Sequence, residues 1–156
     1  MIAIDAPGWG IRRIEHLVMD FNGTLACDGM LLPGVDERLM RLSMKARLHL
    51  VTADTFGTVS DESRRFELAL KIIKKGAEDA QKAELVQRLG PLSVAAIGNG
   101  RNDVGMLREA GLSIAVLGPE GASAETLAAA TLVCPDILSA LDLLLHPKRL
   151  AATLRR

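Results

Sequence analysis

Asp20, Thr52, Lys82 and Asp103 stand where simple chemistry is possible. Asp20 is the first acid after an apolar run and is followed by Phe21-Asn-Gly-Thr24. A carboxylate at the end of a buried strand can attack phosphorus or bind a cation. Gly23 lets the chain turn close to a ligand, and the N–H groups of such a turn suit phosphate oxygens. The plainer alternative is an aspartate that closes a strand and caps a turn. Thr52, followed by Ala53 and Asp54, ends a second apolar run; its hydroxyl suits a phosphate oxygen or simply ends the strand. Lys82 lies early in a helical stretch and carries the charge to neutralise phosphate, although helical lysines are most often just solvated. Lys74 and Lys75 compete for that role. Asp103 closes Gly98-Asn-Gly-Arg-Asn-Asp103 at a helix start behind an Asn102 cap. The helix dipole favours an acid there without any function, and a metal would favour it equally.

These residues need elements to bring them together. Apolar runs of strand length cover residues 16–20, 48–52, 70–73, 94–97, 114–117 and 131–134. Several are continuously apolar, as strands covered on both faces are. Helical segments are expected over 35–44, 58–66, 78–89, 102–110, 122–130, 137–145 and 147–154, with Gly90-Pro91 and Gly111 as stops and Pro147 in a first turn. Strand and helix alternating in this way predict right-handed crossovers and a three-layer α/β/α fold on a mainly parallel sheet. Ligands of such sheets bind beyond the carboxyl ends of the strands. The polar, glycine-rich stretches after residues 20, 52 and 98 would meet at that edge.

Composition narrows the classes. The chain has 156 residues, which predicts one domain over 1–156. Nineteen Lys+Arg against nineteen Asp+Glu give no net charge, which argues against a nucleic-acid or membrane-surface binder. Aromatics are 3% of the chain, too few to stack on bases. Cys27 and Cys134 make neither a disulfide framework nor a zinc site. No apolar stretch approaches the roughly 20 residues of a membrane span, and the first residues do not read as a secretory signal. The expectation is a soluble cytoplasmic protein. Neither a Walker A loop nor a dinucleotide fingerprint is present.

Taken in order, Asp20-Phe-Asn-Gly-Thr-Leu25, Leu-Val-Thr52-Ala-Asp54, Lys82 and Gly98-Asn-Gly-Arg-Asn-Asp103 resemble the haloacid dehalogenase superfamily over about residues 14–145. The last motif is most similar to the P-type ATPase branch, whose signature is Gly-Asp-Gly-x-Asn-Asp. More narrowly, the chain resembles small soluble P-type-ATPase-like hydrolases. The resemblance implies a Rossmann-like fold and a phosphatase or phosphotransferase chemistry with Mg²⁺. It makes Asp20 the nucleophile that forms an aspartyl-phosphate. Gly23, Thr52, Ala53, Lys82 and Asn102 would hold the phosphoryl group, and Asp20, the Asn22 carbonyl, Asn99 and Asp103 the metal. Two positions depart from the pattern. Asn22 stands where the phosphatases carry an acid/base aspartate, and Asn99 where the motif has a metal-binding aspartate. Both departures predict slow turnover and weak metal binding. They also favour the competing reading, a regulatory protein that binds phosphate and Mg²⁺ with little turnover.

The resemblance leaves no length for a cap domain. Residues 25–33 are expected to form a small hairpin flap about Asp28-Gly29. Its Met30, Leu31 and Leu32 suggest a homo-oligomer that covers an otherwise open site on a small phosphorylated substrate.

Overall fold

The computed structural model describes residues 1–53 and 69–156. Its centre is a six-stranded sheet, parallel throughout. The strands are β3 (His16–Asp20), β6 (Arg47–Thr52), β7 (Ala69–Ile72), β8 (Val94–Gly98), β9 (Leu112–Val116) and β10 (Leu132–Cys134), in the spatial order β10-β9-β8-β3-β6-β7. Within this sheet the chain enters at β3, runs outward through β6 to β7, then returns to lay β8 on the other flank of β3. The strand order therefore reverses beside β3, and at such a reversal a crevice opens above the carboxyl ends.

Side chains of alternate strand residues pack on opposite faces. Leu17, Met19, Leu48, Leu50, Ala95 and Ile97 join α1 (Val35–Ser43) and α5 (Ile137–Leu145) in one core. Val18, Val51, Val94 and Ala96 join α2 (Glu78–Leu89) and α3 (Val104–Glu109) in the other. Two buried faces explain the unbroken apolar runs, and the fold is the expected three-layer α/β/α arrangement. Two more helices, α4 (Ala124–Ala129) and α6 (Pro147–Leu154), complete the described set. None of the described helices is long and apolar enough to cross a membrane. Arg38 on α1 makes a two-pronged ion pair with Asp142 on α5, at 2.8 and 2.9 Å.

Two features differ from the sequence reading, and one expectation falls outside the described residues. Residues 2–14 form a hairpin, β1 (Ile2–Ala6) against β2 (Gly10–Ile14), that buries Ile2, Ile4 and Ala6 on one face. The alternation is plain only afterwards, because Ala3 is not polar. The helix expected over 102–110 begins instead as a 3₁₀ turn at Arg101–Asp103 and becomes α-helical only from Val104. Asn102 therefore sits inside a turn and does not cap. The helix expected over 58–66, and Asp54, lie outside the described residues.

At the opposite end of the sheet, His16 and His49 share a hydrogen bond of 3.0 Å between Nδ1 and Nε2. Burial, then the neighbouring His16 and Arg47, push His49 down to about 4. The unfolded chain takes up that proton near pH 6.5. The folded state thus holds fewer protons between about pH 6.5 and 4, and its stability is lost as pH falls through that window. Urea midpoints of the wild type should therefore drop more between pH 7 and 5 than those of His49→Gln; equal drops would contradict this account.

Candidate active site

The site is assembled from the carboxyl ends of β3, β6 and β8 and from one helix that reaches across to them. Asp20 is the last residue of β3, Thr52 the last of β6, and Gly98 the last of β8. Lys82 comes from α2. It lies one turn before the buried Val86, on the apolar face of its helix, and is itself fully buried. Its Nζ donates to Asp20 Oδ1 at 2.7 Å and to Asp103 Oδ1 at 2.6 Å. The rival Lys74 and Lys75 are exposed.

Asp103 is equally engaged through its second oxygen, which accepts from the backbone N–H groups of Asn99 at 3.0 Å and Gly100 at 2.9 Å. It thus fixes the turn after β8 as well as the lysine. The carboxylate occupies the space where Gly98 would carry a side chain: a methyl group there would lie 2.5 Å from the Asp103 carboxyl carbon. On the other side of Asp20, the Thr24 hydroxyl stands 3.5 Å from Asp20 Oδ2 and donates to Asn99 Oδ1 at 3.1 Å.

A cavity of about 290 Å³ opens above this floor. Asp20, Asn22, Thr52 and Ala53 line it from the β3 and β6 side, and Asn99, Gly100 and Asn102 from the β8 side, with Glu120 also in its wall. Every site residue singled out from the sequence, Gly23 and the buried Lys82 and Asp103 aside, lines this cavity. Gly23 behaves differently from the expectation. Its N–H donates to Ala26 O at 2.8 Å, and the N–H groups of Thr24, Leu25 and Ala26 all turn toward Phe21 O. The turn is closed on itself, so Gly23 serves by its positive φ of 80° and its missing side chain, not as an open anion nest. The next residues form a hairpin, β4 (Ala26–Cys27) against β5 (Met30–Leu31), with Asp28 and Gly29 at positive φ. Met30 is exposed there, but Leu31 and Leu32 pack against the core, so they do not offer the sticky patch expected of them.

Electrostatics set the site's character. Two buried carboxylates face one ammonium, leaving one negative charge uncompensated. Burial, then the charge of Asp103, push Asp20 up to about 7 against the opposing pull of Lys82. For Lys82, burial works downward, yet Asp20 and Asp103 outweigh it and hold the ammonium above its ordinary value. An all-oxygen donor set (Asp20 carboxylate, Asn99 amide oxygen, Thr24 hydroxyl) suits a hard divalent cation, which would also supply the missing positive charge. The set is short of carboxylates. Among the described residues no three Asp, Glu, His or Cys side chains converge as a ready metal cage.

The model of the haloacid dehalogenase-like hydrolase family matches residues 50–137. The chain belongs to that family. An uncharacterized protein of Methanocaldococcus jannaschii is 42% identical over 86 residues, 53% of this chain and 92% of the relative. A second from the same organism is 44% identical over 39 residues, 25% of this chain and 89% of the relative. Among solved structures, the cobalt-bound deoxy-D-mannose-octulosonate 8-phosphate phosphatase of Haemophilus influenzae superposes with a TM-score of 0.73 at 13% identity, covering 92% of this chain and 94% of that one. The 3-deoxy-D-manno-octulosonate 8-phosphate phosphatase of Moraxella catarrhalis, in complex with magnesium ion, phosphate ion and KDO, superposes with a TM-score of 0.67 at 20% identity, covering 92% and 95%. At these identities the likeness is one of fold. This hydrolase shares it over nearly its whole length.

Two residues of the site carried no role in the sequence reading. Thr24 lay within the first motif. Glu120 follows β9 in Gly118-Pro-Glu-Gly121, and the rule that directs attention to carboxyl ends of strands would have found it had it been applied to that strand too.

The raised Asp20 has a consequence for stability. Its folded value exceeds the ordinary carboxylate value, so its contribution is present below about pH 4 and is lost as pH rises toward 7. Metal-free Asp20→Asn should accordingly melt a few degrees higher than wild type at pH 8, the shift that about 1 kcal/mol gives a chain this long. The gain should vanish near pH 4. Thermal melts of both proteins in chelator across that range check it, and a pH-independent difference would refute it.

Proposed function

We propose that this hydrolase is a divalent-cation-dependent phosphohydrolase that works in the cytoplasm on a small phosphorylated substrate through an aspartyl-phosphate on Asp20. The observation that carries the reading is Lys82, buried between Asp20 and Asp103 beneath a small cavity of oxygen donors. The two carboxylates make that buried ammonium tolerable, and their surplus negative charge would be met by a cation that also binds the phosphoryl oxygens.

An Asp20 carboxylate oxygen attacks phosphorus, and the bond to the leaving oxygen breaks with its electron pair on that oxygen. Lys82 keeps Asp20 oriented and offsets the charge of the entering phosphoryl group. The Thr52 hydroxyl and the backbone at Ala53, with Asn102 across the cavity, border the space for the equatorial phosphoryl oxygens. Water then attacks the aspartyl-phosphate, releasing inorganic phosphate and restoring the carboxylate. Mg²⁺, held by the Asp20 carboxylate and the Asn99 amide oxygen beside the Asn22 carbonyl and Asp103, would polarise the phosphoryl oxygens. Support for a divalent cation comes from the donor set and from relatives of this fold solved with cobalt and magnesium.

Asn22 shapes the substrate preference. It lines the cavity and has no proton to give a leaving oxygen. The reading therefore favours substrates whose leaving group departs as a stable anion, such as acyl phosphates, phosphoanhydrides or activated aryl esters. The P-type ATPases, whose signature the Gly98–Asp103 motif resembles, likewise carry no acid at that place.

Wild type with Mg²⁺ should cleave p-nitrophenyl phosphate and be much slower on phenyl phosphate, whose leaving group is more basic. Asp20→Asn should abolish turnover. Asn22→Asp should raise kcat on the poorer substrate by about 10²-fold or more, the usual size of general-acid assistance. Undiminished turnover in Asp20→Asn would sink the proposal. Tight phosphate and Mg²⁺ binding with no turnover in any variant would instead select a binding and regulatory role, which the lack of an acid at Asn22 favours.

A further inference from the structure

Glu120 has no part in the scheme above, yet it lines the same cavity. It occupies the third position of a tight turn, Gly118–Gly121, closed by a hydrogen bond from the Gly121 N–H to Gly118 O at 3.3 Å. The turn hangs from the end of β9 and is fastened on two sides. Toward β10, the N–H groups of Leu117 and Gly118 donate to Cys134 O and Pro135 O at 3.1 and 3.2 Å. Toward the site, Asn99 holds it twice: its Nδ2 donates to Gly121 O at 3.0 Å, and its own carbonyl accepts from the Ser123 N–H at 3.0 Å. The result brings Glu120 and Asn99 against one spot. A methyl group on Gly23 would lie 2.5 Å from Glu120 Oε2 and 2.6 Å from Asn99 Nδ2.

The amide at position 99 is thus used at both ends. Its oxygen accepts from the Thr24 hydroxyl, which stands beside Asp20, and its nitrogen donates to a carbonyl. An aspartate could not make the second bond, because a carboxylate is acceptor-only. It would set its charge against both the Gly121 carbonyl and the Glu120 carboxylate. Glu120 is held at the cavity by the residue whose own negative charge is missing. We propose that Glu120 supplies from the rim the negative charge that Asn99 withholds from the cation site, and that Asn99 positions the turn that carries it. This inference rests on the metal-dependent phosphoryl-transfer reading. Glu120 is exposed, and no three acidic, His or Cys side chains among the described residues form a direct cage, so it acts through its field or a bridging water. The cation affinity it confers is therefore sensitive to salt.

Mn²⁺ titration calorimetry on the purified chain, read apart from any turnover, tests this. Wild type should bind Mn²⁺ and Asp20→Asn should lose it. Glu120→Gln should bind about five- to tenfold more weakly at low salt, the effect of one charge several ångströms from a divalent ion in wet surroundings. The gap should close near 0.5 M salt, where the screening length falls to roughly 4 Å. The double variant Asn99→Asp with Glu120→Gln moves the charge back into the cavity and should recover the affinity. A Glu120→Gln affinity within about twofold of wild type at low salt, where screening is weakest, overturns the Glu120 assignment while a defective Asp20→Asn leaves the phosphoryl-transfer reading standing. A salt-independent gap, or a double variant as weak as Glu120→Gln alone, also overturns it, because either makes the role one of shape rather than charge. Absent Mn²⁺ binding in wild type, or binding undiminished in Asp20→Asn, overturns both.

Discussion

The buried ammonium of Lys82 between two carboxylates constrains almost everything around it. An unpaired lysine at full burial is ruinously expensive, and leaving a buried charge with no partner at all typically costs about 3–5 kcal/mol. Asp20 and Asp103 must therefore arrive at the same point from different strands. That fixes β8 beside β3 and requires the turn after β8 to bend back over its own end. Gly98 and Asp103 meet that demand together: the carboxylate takes the place of the side chain that glycine lacks, then clamps the N–H groups of residues 99 and 100. The helix α2 is bound by the same constraint. Its apolar face carries a lysine where an aliphatic residue would pack at less cost, and the two anions at the end of the sheet are what make that tolerable.

The arrangement holds as a fold although it is incomplete as a charge balance. One ammonium cannot neutralise two carboxylates, and the surplus appears in the raised Asp20. Had positions 22 and 99 both been aspartate, the cavity would hold two more like charges within a volume of about 290 Å³. Like-charge crowding of that kind raises carboxylate pKa values further and destabilises the metal-free chain. The two asparagines thus lower the strain of the empty floor. At position 99 the exchange also adds a donor, which ties the 118–121 turn to the site.

Much of this was legible in the sequence, for reasons that differ from residue to residue. The parallel sheet was readable because a strand buried on both faces must be apolar throughout, and residues 94–97 and 114–117 are. Asp20, Thr52 and Gly98 were readable as a group because topology alone sends strand ends to one edge. Lys82 could have been separated from Lys74 and Lys75 by periodicity, since it falls one turn before Val86 on the apolar stripe of its helix. The closed turn at Gly23 was not readable. Whether N–H groups face outward to an anion or inward to Phe21 depends on backbone angles that many glycine-containing turns share. The β1–β2 hairpin hid because an alanine at an exposed position mimics an apolar run. Leu31 and Leu32 misled in the opposite sense: a hairpin short enough to be a flap still leans on the core.

Asn99 shows why a motif departure is better judged by geometry than by resemblance. Against a pattern with aspartate, asparagine reads as a loss. In the fold its oxygen accepts from Thr24, as a carboxylate oxygen could, while its nitrogen makes a contact that the acid would forbid. The substitution therefore changes two things at once, removing a charge from the floor of the cavity and gaining a tether to a loop bearing a charge of its own. A residue conserved in shape but altered in charge is tolerated where the surrounding structure can take over the altered property. Among the described residues, the loop after β9 brings an acid to that edge that is not already committed as Asp20, Lys82 and Asp103 are to one another.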